Sequence, residues 1–205
     1  MKKFVVAMLS LSLCFFILNC GSDDDSEISL SRWAGTWNAM DQYLNASELN
    51  QAWSDGAGYV NTSLGRSDVT AANLKAVFAV MLKTDFKSCI IEGDTMKIYA
   101  NLDATGSPTQ TITYVYIGKT GSGAEAMYTF EGDVEGAYKY LMAYEPEPGS
   151  ATAAEHFHFQ YASKPEDLGI NPMWMATVMK QGTTMNALAA SLEEVIKELP
   201  WALLL

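Results

Sequence analysis

Thr109-Gln110-Thr111-Ile112-Thr113-Tyr114-Val115-Tyr116 is rich in β-branched and aromatic residues and partly alternates in polarity. A strand with different surroundings on its two faces reads this way, because successive side chains point to opposite sides. Working outward, similar runs lie at 89–91, 96–100, 109–117, 126–130, 138–144 and 156–161. Between them stand Glu92-Gly93-Asp94 and the segments 101–108, 118–123 and 145–150, all of turn-forming composition. Short strands this close together predict an antiparallel meander, closed as a barrel or folded as a sandwich. Gly118-Lys119-Thr120-Gly121-Ser122-Gly123 joins two strands and opens no helix, so it reads as a hairpin loop and not as a phosphate loop.

Helices flank this β-rich middle. Ser47 is a candidate cap for a helix that begins Glu48-Leu49-Asn50-Gln51-Ala52-Trp53. A longer one is expected over 68–83, where Leu74, Val77, Phe78, Met81 and Leu82 share a face. Asn171-Pro172 reads as a cap followed by proline at the first helical position, with Gly182 as the stop. Thr184 caps a further helix whose stripe is Met185, Leu188, Leu192, Val195, Ile196 and Leu199, ended by Pro200. That stripe is read as core packing, and the apolar tail 201–205 as docking back on the domain.

The N-terminus reads as an export signal. Lys2 and Lys3 precede a mostly apolar stretch, 4–18, which is too short for a hydrocarbon core that needs about 20 apolar residues. Ile17-Leu18-Asn19-Cys20 resembles a lipobox, with Asn19 in a place where a smaller residue is usual. The expected organisation is a signal peptide over 1–19, a lipidated acidic tether over 20–30 anchored at Cys20, and a single domain over 31–205. Gly21-Ser22-Asp23-Asp24-Asp25-Ser26-Glu27 has nothing to bury, as a spacer should. Several acyl chains on Cys20 would give a stable membrane anchor. The expected location is the bacterial cell envelope, on its periplasmic or cell-surface side.

Composition narrows the partners. The formal charge is −11, and removal of the two signal-peptide lysines takes the remainder to about −13, which argues against nucleic acid and against docking on anionic lipid by charge. Of three cysteines, Cys14 leaves with the signal and Cys20 is the anchor, so Cys89 stands alone and no intrachain disulfide is available. In Ser88-Cys89-Ile90-Ile91 it reads as a buried, inert thiol.

The chemistry concentrates at Glu155-His156-Phe157-His158-Phe159, which holds both histidines of the chain. On a strand His156 and His158 project side by side while Phe157 and Phe159 point the other way. Two adjacent imidazoles suit a borderline cation such as Zn²⁺, bound at about 2.0–2.1 Å. Candidates for a third ligand are Tyr144, Glu145 and Glu147, with Glu155 beside the pair; carboxylates suit the ion best. The pair is expected near a barrel mouth, with affinity falling as pH drops through the ordinary histidine range. No nucleophile–base set, G-x-S-x-G or H-E-x-x-H occurs, so binding is favoured over catalysis.

Taken in order, these segments resemble the ZinT/YodA family of extracytoplasmic zinc-binding proteins with a calycin-like (lipocalin-like) barrel. Trp33-Ala34-Gly35-Thr36-Trp37-Asn38 is similar to its opening W-x-G-x-W, followed by Tyr43-Leu44. Ile90-Ile91-Glu92-Gly93-Asp94 is similar to its first barrel strand and turn, and Tyr128-Thr129-Phe130-Glu131 to its Y-L-F-E. His156-Phe157-His158-Phe159 is similar to its H-F-H-I, which carries two of three zinc histidines; Leu192-Glu193-Glu194-Val195-Ile196 falls at its closing helix. The family's third histidine falls near 144–147, where this chain has none. Its disulfide and its His-rich N-terminal stretch are also missing.

The resemblance implies a mainly β fold with flanking helices, a calycin-like antiparallel β-barrel. It implies Zn²⁺ as the ion, other divalent transition metals remaining open, and capture or delivery to a metal importer. The runner-up is a metal-free barrel that binds a small apolar ligand or serves as a surface interaction module, as the 10 Tyr, 8 Phe and 5 Trp would allow.

Overall fold

The alternating middle of the chain forms β2 (Ser88–Glu92), β3 (Thr95–Tyr99), β4 (Gln110–Thr120), β5 (Met127–Gly132), β6 (Tyr140–Tyr144) and β7 (His156–Ala162). β1 (Gly35–Ala39) and β8 (Ala176–Lys180) flank them. This computed structural model describes residues 28–150, 152–169, 171 and 173–205. The expected signal peptide, Cys20 and the acidic run of the tether lie outside the described residues. Each strand pairs antiparallel with its neighbour in sequence, and β1 pairs with β8 through Trp37↔Lys180, Asn38↔Met179 and Ala39↔Val178. The meander therefore closes as an eight-stranded barrel, not a sandwich.

Alternation dictates what fills it. Ile112 and Tyr114 of β4, Phe130 of β5, and Phe157 and Phe159 of β7 point inward with Trp33 and Trp37, all at most 2% exposed. The rings meet edge-on, Trp37 against Phe157 at 4.9 Å and Trp33 against Phe130 at 5.5 Å between centroids, a favoured aromatic geometry. Cys89 is fully buried in this core, and burial pushes its thiol pKa up, as expected of an inert cysteine.

The helices α1 (Asn50–Leu64), α2 (Ala71–Met81), α3 (Met185–Glu198) and the short α4 (Trp201–Leu204) bury a second apolar cluster. Trp53, Phe78, Leu188, Leu192 and Ile196 meet there with Met179 from the outer face of β8. Thr70 caps α2 in a capping box with Asn73, and Thr184 caps α3 at Ala187 N (3.2 Å). α1 approaches α3 at Gly56, where a Cβ would meet Ile196 Cδ1 at 2.6 Å. The apolar tail docks as expected, Trp201 donating its indole N–H to Ile196 O (2.6 Å).

One expected helix is a strand. Asn171 does start a turn, accepting from Met173 N on its side chain (3.1 Å) and from Trp174 N on its carbonyl (3.1 Å). The chain then straightens into β8, with Ala176 and Val178 inside the barrel and Thr177 and Met179 outside. Backbone pairing with β7 on one side and β1 on the other outweighs the local helical signal.

Candidate metal centre

β7 carries Phe157 and Phe159 into the barrel, so His156 and His158 stand on its outer wall. The expected shared face is observed, but it is the outside of the wall at the start of β7. The rings lie 5.0 Å apart between centroids at 86°. The segment leading into β7 is tied to α3, where the Ser191 hydroxyl accepts from Ala154 N (2.9 Å).

The third group arrives through a break in register. β6 and β7 pair regularly as far as Ala143↔Phe159, and pairing then resumes at Glu147↔His156. Three residues on one strand thus face two on the other, as in a β-bulge. Pro146 lies in that stretch and has no N–H for the ladder. Glu147 N donates to His156 O (2.7 Å) and His156 N to Glu147 O (3.2 Å). Directly opposed residues share a face, so Glu147 joins the histidines outside the barrel. Its Oε2 lies 3.9 Å from His156 Nε2.

Ligand atoms of Glu147, His156 and His158 all lie within 4.8 Å of one another. Ligands at 2.0–2.1 Å on a tetrahedral ion stand about 3.4 Å apart, so a modest closure would complete the set. Glu147 has room to supply it: its side chain is 49% exposed, that of His156 15%.

Hydrogen bonds fix which nitrogens point outward. His156 Nδ1 lies 2.9 Å from Ala154 O, which can only accept, so the proton is on Nδ1. His158 Nδ1 lies 2.7 Å from Thr177 Oγ1, whose own proton goes to Met175 O (2.9 Å). Each Nε2 therefore keeps the lone pair that a metal needs. Burial first, and then the neighbouring His156, push the His158 pKa down to about 3. His158 therefore stays a neutral ring far below the ordinary histidine range.

The other expected ligands are placed differently. Glu145 turns away from the histidines: its Oε1 accepts from Arg32 Nη1 (3.0 Å) and from the Tyr128 hydroxyl (3.0 Å). Glu155 pairs with Lys180 at 2.8 Å. One further ladder step would set Tyr144 opposite His158, and Tyr144 O accepts from Trp33 Nε1 (2.6 Å). Burial and then Glu125 push the Tyr144 pKa up, keeping the phenol protonated and a weaker ligand than a carboxylate. Thr177, which touches His158, had no signal in the sequence, because only the β7–β8 register brings the two together.

A family model described as "ZinT (YodA) periplasmic lipocalin-like zinc-recruitment" matches residues 20–189. The chain belongs to the ZinT (YodA) family. Zinc is thus the ion of its family, and the lipocalin-like barrel is the family's fold. Among solved structures, the chain resembles the zinc-bound ZinT-like domain of Streptococcus pneumoniae AdcA, with a TM-score of 0.58 at 21% identity, covering 83% of this chain and 94% of that one. Against zinc-bound AdcA from the same organism the TM-score is 0.59 at 21% identity, covering 83% of this chain and 37% of that one. At this identity the likeness speaks for the fold. A comparison with curated proteins returned no match.

Proposed function

We propose that this ZinT-family protein captures one Zn²⁺ outside the cytoplasm through His156, His158 and Glu147, with water in the fourth position, and passes it to a metal importer. Cys20 is its lipid anchor in this reading, holding it to the cell envelope. The observation that carries the proposal is the convergence of three donors whose two imidazoles both have Nδ1 occupied. Two imidazoles and one carboxylate are a known zinc donor set, and neither ring needs to change tautomer to bind. Glu147 takes the place of the missing third histidine. Its negative charge compensates part of the ion's, as a third imidazole would not. The acidic chain favours arrival of a cation. A general base is not needed for this role, which is binding and not catalysis.

Calorimetric titration of the purified protein with Zn²⁺ tests the site: one ion per chain is expected, and stoichiometry unchanged in a His156→Ala/His158→Ala variant would overturn it. Labelled palmitate tests the anchor: incorporation should vanish in Cys20→Ser, and unchanged labelling would remove it. The apolar-ligand alternative draws no support from the aromatic residues, since Trp33, Trp37, Tyr114, Phe130, Phe157 and Phe159 fill the barrel.

A further inference from the structure

We propose that Thr177 is a positioning residue for zinc capture, presetting the His158 imidazole with Nε2 toward the ion. The inference rests on the zinc reading above and extends it to a residue outside the ligand set. Thr177 lies opposite His158 in the β7–β8 ladder and has no exposed surface. A hydroxyl has one proton to give, and that of Thr177 goes to Met175 O at 2.9 Å. What Oγ1 offers His158 is therefore a lone pair, and at 2.7 Å Nδ1 must be the donor. Neutral imidazole carries a single N–H. Fixing it on Nδ1 leaves Nε2 as the basic nitrogen, whereas in water the neutral ring prefers the proton on Nε2. The relay Met175 carbonyl, Thr177 hydroxyl, His158 ring thus holds the less common tautomer, the one that makes Nε2 the ligating nitrogen, before any ion arrives. Polar partners of metal-ligating histidines tune affinity in this way. His156 is held by a backbone carbonyl, which no side-chain substitution removes, so Thr177 is the point at which such a relay can be cut.

The competing role for Thr177 is structural, a buried strand hydroxyl satisfied by Met175 O alone. Thr177→Val keeps the shape and removes the hydroxyl; Thr177→Ser keeps the hydroxyl. The ¹⁵N shifts of His158 in the metal-free purified protein at pH 7 report the tautomer, and Zn²⁺ titration of the same samples reports affinity. Wild type and Thr177→Ser are expected to show the Nδ1–H form and similar affinity. Thr177→Val should shift the ring toward the Nε2–H form and lose about 10–100-fold in zinc affinity. If Thr177→Val fails to fold, Thr177→Ala against Thr177→Ser reads the same contrast. An unchanged tautomer in the hydroxyl-free variant overturns the relay whatever the zinc result. A shifted tautomer with wild-type zinc affinity also overturns the positioning role. If wild type takes no zinc while the tautomer still shifts, the capture reading falls and the orientation of His158 by Thr177 stands.

Discussion

Glu145 and Glu147 are two residues apart in one stiff Glu-Pro-Glu-Pro run, yet they serve different neighbourhoods. Glu145 meets Arg32 and Tyr128, beside the aromatic side chains that fill the barrel. Glu147 meets His156 and His158 on its outer wall. In an unbroken strand, residues two apart would share a face. The extra residue between Ala143↔Phe159 and Glu147↔His156 cancels that rule and sends the two carboxylates apart. A carboxylate's role here is set by strand register, since the two side chains are chemically identical.

The largest expected effect lies on the histidine side. Calorimetry on the His156→Ala/His158→Ala variant should show no saturable zinc binding, and each single change should remove most of the affinity. Retention of wild-type affinity by either single variant would mean that the outer wall is not the site.

The carboxylate pair gives the sharper contrast. Glu147→Gln should weaken zinc binding by about tenfold or more, through loss of an anionic ligand. Glu145→Gln should leave it near wild type. Equal losses in the two variants would show that the bulge does not separate their roles.

Acid should act on the metal-free protein through His158. Its pKa in the fold is depressed to about 3 from an ordinary 6.5, so between these values the unfolded chain holds a proton that the folded one lacks. Stability contributed by the neutral, buried ring is therefore present above about pH 6.5 and lost as pH falls toward about 3. Thermal unfolding followed from pH 7 to pH 4 should show this decline, and His158→Gln should flatten it. Identical slopes in the two proteins would contradict the burial argument.

The smallest effect belongs to the Arg32–Glu145 contact. Both side chains are substantially exposed, at 43% and 56%, so Arg32→Gln should destabilise by less than about 1 kcal/mol. It should leave zinc affinity unchanged. A clear change in zinc binding would couple two sides of the wall that the geometry keeps apart.

Legibility followed the reach of each signal. β2 to β7 were readable because alternating β-branched and aromatic residues carry their own period, and the turns between them are short and polar. α2 was readable from its apolar stripe, and α3 from its stripe and its cap, observed at Thr184. The two strands that form the seam were not. Gly35–Ala39 is short and begins at a glycine, and Ala176–Lys180 follows a genuine turn signal at Asn171. Both are strands because each completes the other's ladder, a contact between residues about 140 apart in sequence that no local pattern encodes.

The sequence by itself determined the meander, the inert cysteine and the pairing of His156 with His158 on one face, because strand periodicity, burial and side-chain chemistry are local properties. Only the tertiary structure decided that this face looks outward and that Glu147, not Glu145, stands beside it. It alone showed that Thr177 and Ala154 hold the two rings. The physical reason is that these facts depend on register. Register is fixed by hydrogen bonds and packing summed over the closed barrel, and a one-residue step anywhere in it turns a side chain to the opposite face.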